Sequence, residues 1–200
     1  GRLEAILKEP REGAEGARGV ALVLHPHPLG GGTMHNKVVF RAASALNDAG
    51  LVALRVNFRG VGASTGEHDE GRGETLDAAA ALDYLAGQYP ASPVTLAGFS
   101  FGSRVGMEVG IADDRVVNLI SIGTPVEKYD FSFLRACRKP ILFVHGDRDE
   151  FGGVEKLRAL VASLPPEAHA RLAVIENAGH FFEGRLDELK RVITEFVNRE

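Results

Sequence analysis

Val94-Thr-Leu-Ala-Gly98-Phe-Ser100-Phe-Gly102 reads as a buried strand that breaks directly into the helical stretch Ser103–Ile111. A serine between two glycines, in a G-x-S-x-G pattern at a strand-to-helix corner, marks a tight and strained backbone bend. Glycine is required on both sides, because a side chain at Gly98 or Gly102 would collide with the neighbouring strand and helix. The bend lifts the Ser100 hydroxyl above a sheet and turns the following N–H groups toward the same spot. As plain structure this is an ordinary strand-to-helix loop. As chemistry it makes Ser100 a nucleophile.

On either side of this corner, two kinds of segment alternate. Short β-rich runs are Leu3–Leu7, Val20–His25, Val52–Phe58, Val94–Gly98, Val116–Ile122, Ile141–His145 and Leu172–Ile175. Several are continuously apolar, as strands covered on both faces of a parallel sheet are. Between them, Lys37–Ala49, Glu74–Gln88, Val154–Leu164 and Glu183–Arg199 place apolar residues at helical spacing. Such alternation predicts a doubly wound, mostly parallel α/β sheet with right-handed crossovers. Leu3–Leu7 is the exception. Only a short glycine-rich loop separates it from the next strand, so it is expected to pair antiparallel at one edge. No linker of domain-separating length appears, which predicts a single domain over residues 1–200.

Ligands of such sheets sit beyond the carboxyl ends of the strands. Those ends hold most of the polar groups capable of chemistry here. A serine hydroxyl needs a base within hydrogen-bond reach. His180, in Ala178-Gly-His-Phe-Phe between the last strand and the final helix, would hang over the same rim and can shuttle a proton near neutral pH. An acid must then fix the imidazole tautomer. His145-Gly-Asp147-Arg-Asp149-Glu150 supplies three carboxylates just past a strand. Asp149 is preferred; Asp147 and Glu150 are the alternatives, with Asp147 suited to bonding its own turn. Oxyanion donors are expected at the Phe101 N–H and in the loop His25-Pro-His27-Pro-Leu29-Gly. Pro26 and Pro28 carry no N–H, which leaves His27, Leu29 or a glycine, with His27 the first choice and Leu29 the second.

Taken together, His25-Pro-His-Pro-Leu-Gly-Gly-Gly, Asn57-Phe-Arg-Gly-Val-Gly, Gly98-Phe-Ser-Phe-Gly, His145-Gly-Asp-Arg-Asp and Gly179-His-Phe-Phe resemble the small α/β hydrolases related to dienelactone hydrolases. The resemblance covers essentially the whole chain. It implies the α/β-hydrolase fold, a Ser100–Asp149–His180 triad, and an oxyanion hole at Phe101 and the His27 region. Dienelactone hydrolases proper use a cysteine nucleophile, so their substrate does not carry over. The connection from Gly123 to Lys139 is too short for the lid of larger relatives, so no cap domain is expected. The pocket wall is then expected among Leu29, Thr124, Pro125, Val126, Phe151, Phe181 and Phe182.

Composition narrows the remaining choices. The 200 residues carry a formal charge of −4, which offers nothing for nucleic acid or a membrane surface. No apolar run reaches the roughly 18 residues of a membrane span, and no signal peptide is visible. Cys137 is the single cysteine, so an internal disulfide is excluded and a cytoplasmic location is expected. The loop Arg59-Gly-Val-Gly-Ala-Ser-Thr-Gly lacks the ending of a nucleotide P-loop. His25, His27, His35, His68 and Asp69 match no compact metal-ligand spacing. Glu67–Glu74 reads as a charged, solvated loop before a helix, with Asp69 and Glu74 available for helix-start contacts or for Arg59. The expectation is a cofactor-free hydrolase of small or accessible carboxylic esters, a monomer or homodimer. A peptidase or thioesterase using the same residues is the alternative, as is a non-catalytic binding member of the fold.

Overall fold

The computed structural model describes residues 1–11 and 13–199. Seven strands form one sheet: β1 (Ala5–Lys8), β2 (Gly19–Leu24), β3 (Leu51–Val56), β4 (Val94–Phe99), β5 (Val116–Ile122), β6 (Ile141–Gly146) and β7 (Arg171–Ile175). Among the described residues, four α-helices connect strands, α1 (Lys37–Asp48), α2 (Arg72–Gln88), α3 (Phe101–Ala112) and α4 (Val154–Ala162), and a fifth, α5 (Leu186–Val197), follows β7. The strand order is β1-β3-β2-β4-β5-β6-β7. Every pairing is parallel except β1 with β3. The antiparallel edge strand thus pairs with β3 and not with its sequence neighbour β2. Both edges of β2 are taken, by β3 and β4.

Strand alternation divides the core. Val20, Leu22 and Leu24 of β2 belong to one layer with Ala78 and Leu82 of α2, Val105 of α3 and, farther along the sheet, Leu157 of α4. Ala21 and Val23 face the opposite layer, where Val39, Ala42 and Leu46 of α1 meet Leu189, Ile193 and Phe196 of α5. A side-chain period of two on the strands, against 3.6 on the helices, produces this three-layer packing. No helix among the described residues is long and apolar enough to cross a membrane.

Between β5 and β6 the chain forms only a turn over Pro125–Tyr129 and a short 3-10 helix at Ser132–Ala136. Nothing there is large enough to cover the carboxyl ends of the strands. Cys137 lies buried in this connection, with its Sγ 3.4 Å from the Lys139 carbonyl oxygen.

Candidate active site

The corner between β4 and α3 is as tight as its glycines imply. Ser100 has φ 55° and ψ −119°, a conformation that costs a non-glycine residue of order 1–3 kcal/mol. Surrounding bonds hold it there. Its N–H donates to the Ile122 carbonyl of β5 at 2.9 Å, and its own carbonyl accepts from the Ser103 N–H (2.9 Å) and hydroxyl (2.6 Å). A Cβ on Gly102 would lie 2.5 Å from the His25 carbonyl oxygen and 2.6 Å from that of Leu24. One on Gly98 would overlap the Gly102 carbonyl oxygen. Helix α3 therefore starts in direct contact with the end of β2.

Three side chains far apart in sequence meet above this corner. His180 Nε2 lies 2.9 Å from Ser100 Oγ, and His180 Nδ1 lies 2.8 Å from Asp149 Oδ2. The Asp149 side chain is fully buried, and its other oxygen accepts the Phe151 N–H at 2.9 Å. With the carboxylate ionised, His180 donates from Nδ1, and its Nε2 is free to accept the serine proton. Phe99 and Phe151 flank the ring at 4.9 and 4.6 Å between centroids, and Phe181 meets it edge-on at 5.2 Å. Gly123, at φ 54°, leaves room for that ring, since a Cβ there would stand 3.2 Å from His180 Cε1.

The other two carboxylates of this loop are engaged elsewhere. Asp147 accepts the Ala178 N–H at 3.2 Å and so ties the β6 loop to the loop bearing His180. Glu150 accepts the His180 N–H at 3.3 Å. Beneath them, buried His145 faces the Gly152 carbonyl oxygen through Nε2 at 2.5 Å. A carbonyl only accepts, so Nε2 carries the proton there. Burial lowers the His145 pKa and keeps the ring neutral beside Asp149, although Nε2 is only 3.8 Å from Oδ2.

Opposite His180, the loop after β2 is pinned from within. His25 is fully buried, donating from Nδ1 to the Pro26 carbonyl (2.6 Å) and accepting the Phe58 N–H at Nε2 (3.0 Å). Burial pushes its pKa down to about 4, so it is neutral at pH 7. The His27 carbonyl accepts the N–H groups of Gly30 and Gly32, and its Nδ1 accepts the N–H of Leu29. Leu29 is therefore corrected as an oxyanion donor: its amide is already occupied, and the residue is 79% exposed. Among the described residues, the His27 and Phe101 amides donate to no group of the chain.

The His27 ring packs on Phe101 and His68 at 4.9 and 4.8 Å. His68 Nδ1 lies 2.7 Å from Glu74 Oε1, and Glu74 is fully buried. The solvated reading of this loop is overturned for Glu74, which accepts the N–H groups of Asp69 and Gly71 at the start of α2. Burial alone would raise its pKa. Backbone donors and His68 outweigh that and hold it below the usual carboxylate range. Arg59 pairs not with Glu74 but with Asp77, at 2.9 Å.

Residues 19–192 match the family model of the alpha/beta hydrolase domain. This chain is an alpha/beta hydrolase. It is 40% identical over 185 residues to an uncharacterized protein of Rickettsia prowazekii, covering 89% of this chain and 78% of that one. An alpha-beta serine hydrolase homologue from Coxiella burnetii superposes with TM-score 0.88 at 38% identity, covering 96% of this chain and 90% of the other. A serine hydrolase without a lid from Xanthomonas campestris gives 0.89 at 34%, covering 98% and 88%.

In this hydrolase, Ser100, His180 and His27 open onto a cavity of about 170 Å³. Of the wall residues expected from sequence, Phe151 and Phe181 line it. Thr124 does not: it is buried, with its hydroxyl 2.7 Å from that of Ser121. Pro125 is buried in the same turn, and Phe182 belongs to the core layer of α1 and α5. Val126 lines a separate cavity of about 350 Å³ with Tyr129, Phe131 and Leu160. Asn36 and Lys128 line the serine's cavity and were not anticipated; Gly31 and Gly32 of the expected oxyanion loop line it too. The Thr-Met-His-Asn stretch ahead of a predicted helix held a signal for Asn36, which caps α1 by accepting the Val38 N–H at 2.9 Å. For Lys128 the sequence held none.

Proposed function

We propose that this alpha/beta hydrolase cleaves carboxylic esters of small or accessible acyl groups through an acyl-enzyme on Ser100. The relay Ser100–His180–Asp149, with contacts of 2.9 and 2.8 Å and a buried acid, is the observation that carries the reading. Ser100 Oγ attacks the ester carbonyl carbon while its proton passes to His180 Nε2. Negative charge then builds on the carbonyl oxygen, where the idle amides of His27 and Phe101 are the available donors. Collapse expels the alcohol, which takes the proton from His180. Water repeats the sequence in reverse order, releasing the acid. Asp149 fixes the imidazole tautomer and stabilises the imidazolium formed in each half.

The small, uncovered cavity supports short or accessible acyl groups over long chains that need a closed tunnel. A fluorophosphonate probe tests the nucleophile. It is expected to label the protein, and labelling vanishes in Ser100→Ala and His180→Ala. Labelling that survives Ser100→Ala refutes the assignment. A series of 4-nitrophenyl esters of increasing acyl length, run beside a thioester and a chromogenic peptide, then reads the substrate class.

A further inference from the structure

Among the described residues, Lys128 is the only lysine, arginine or carboxylate side chain on the wall of the Ser100 cavity. The whole chain carries a net charge of −4, yet among the described residues no Asp or Glu lines this cleft to neutralise the ammonium. Among the described residues Lys128 has no ion-pair partner, whereas its neighbour Glu127 is taken by Lys156. Its Nζ instead rests 4.0 Å from the centre of the Phe151 ring, and that ring contacts His180. A cation parked on an aromatic face at an exposed site is held by only about 1 kcal/mol, so an anion can draw it away.

The backbone beneath Lys128 is well anchored. Its N–H donates to the Pro125 carbonyl at 3.0 Å, and Thr124 and Val126 of the same turn are buried. Phe151 is fixed in turn by its N–H bond to Asp149. The ammonium is thus a mobile tip on a rigid base beside the reacting groups. Its field also reaches the ring of His27, whose pKa is lowered first by burial and then by His68 and Lys128. Lys128 thus acts on the same cleft that the His27 loop and His180 border. Asn36 also lines the cavity, and among the described residues its side-chain NH2 has no partner, since only its oxygen is spent in capping α1. The N-terminal ends of α1 and α3 both open here, adding partial positive charge.

We infer that Lys128 is a specificity determinant for esters whose acyl half bears a second, ionised carboxylate. This rests on the serine-hydrolase reading of the site. The ester carbonyl is held by the His27 and Phe101 amides, the acyl chain lies along Phe151, and its distal carboxylate draws the ammonium from the ring.

The test compares the mono-4-nitrophenyl ester of adipic acid with 4-nitrophenyl hexanoate, which share leaving group and chain length. The wild type is expected to favour the adipate ester by about fivefold in kcat/KM at low salt, mainly through KM, with the advantage shrinking in 0.5 M NaCl. Lys128→Gln brings that ratio to about one and Lys128→Arg restores it, whereas Lys190→Gln, paired with Asp48 away from the cleft, leaves it unchanged. A wild-type preference for hexanoate, or a ratio indifferent to Lys128→Gln, overturns the inference while leaving Ser100 chemistry standing. Failure of both esters together with absent fluorophosphonate labelling sinks the underlying reading, and this inference with it.

Discussion

His25 should make this protein sensitive to mild acid. Its imidazole is fully buried, and its pKa stands at about 4 against 6.5 for a solvated histidine. Between those values the unfolded chain binds a proton that the folded chain refuses, so stability rises with pH in that window. The contribution is complete above pH 6.5 and drains away as the pH falls toward 4. At 1.36 kcal/mol per pH unit, the total is about 3 kcal/mol. That is a large share of the roughly 5–15 kcal/mol expected of a domain. His145, also buried with a lowered pKa, acts with the same sign. The chain has no tryptophan, so urea unfolding is best followed by circular dichroism at 222 nm, from pH 7.5 to 4.5. His25→Asn loses the bonds to Pro26 and Phe58 and is expected to be less stable at pH 7 by about 2 kcal/mol. Its stability should then fall less steeply than the wild type's, by up to one proton, or about 1.4 kcal/mol per pH unit. The two curves converge on acidification. Parallel curves would show that His25 titrates alike in both states, and the argument from burial would be refuted.

Other perturbations probe the site and its frame. Asp149→Asn should leave the fold intact but cut kcat/KM on a chromogenic ester by about 10⁴, because the imidazole loses its tautomer partner; a loss under tenfold would count against that role. Gly102→Ala forces a Cβ against the Leu24 and His25 carbonyl oxygens, which are backbone and cannot swing aside. It should lower the urea midpoint by the equivalent of about 3 kcal/mol or prevent folding, and a near-neutral result would contradict the close packing of α3 on β2. Glu74→Gln keeps a carbonyl acceptor but weakens charge-assisted bonds to Asp69, Gly71 and His68, and should cost about 1–3 kcal/mol in the same melt.

Much of this was legible because the strands and helices obey different periods. Val20–Leu24 is buried on both faces, and α1 and α5 show one apolar side, so the alternation names the layers directly. The elbow was legible for a steric reason, since only glycine fits where α3 touches β2. Partner choice for β1 was not, because pairing depends on which strand edge remains free after β2 is enclosed. Glu74 misled for a related reason: a carboxylate among charged neighbours looks solvated until three donors close around it. Leu29 was excluded as a donor only when the His27 ring was seen to take its N–H. Lys128 reaches the cleft through the turn at Pro125, a geometry that no residue pattern announces.

The positive φ of Ser100 has one more consequence. That torsion is sustained by a carbonyl from β5, by the end of β2 pressing on Gly102, and by the first turn of α3. A nucleophile whose backbone is kept off its preferred basin by three separate struts works as a gauge of the scaffold, because slackening any one of them lets its hydroxyl swing aside while most of the sheet persists. During gradual denaturation, turnover should accordingly disappear at a lower urea concentration than ellipticity does.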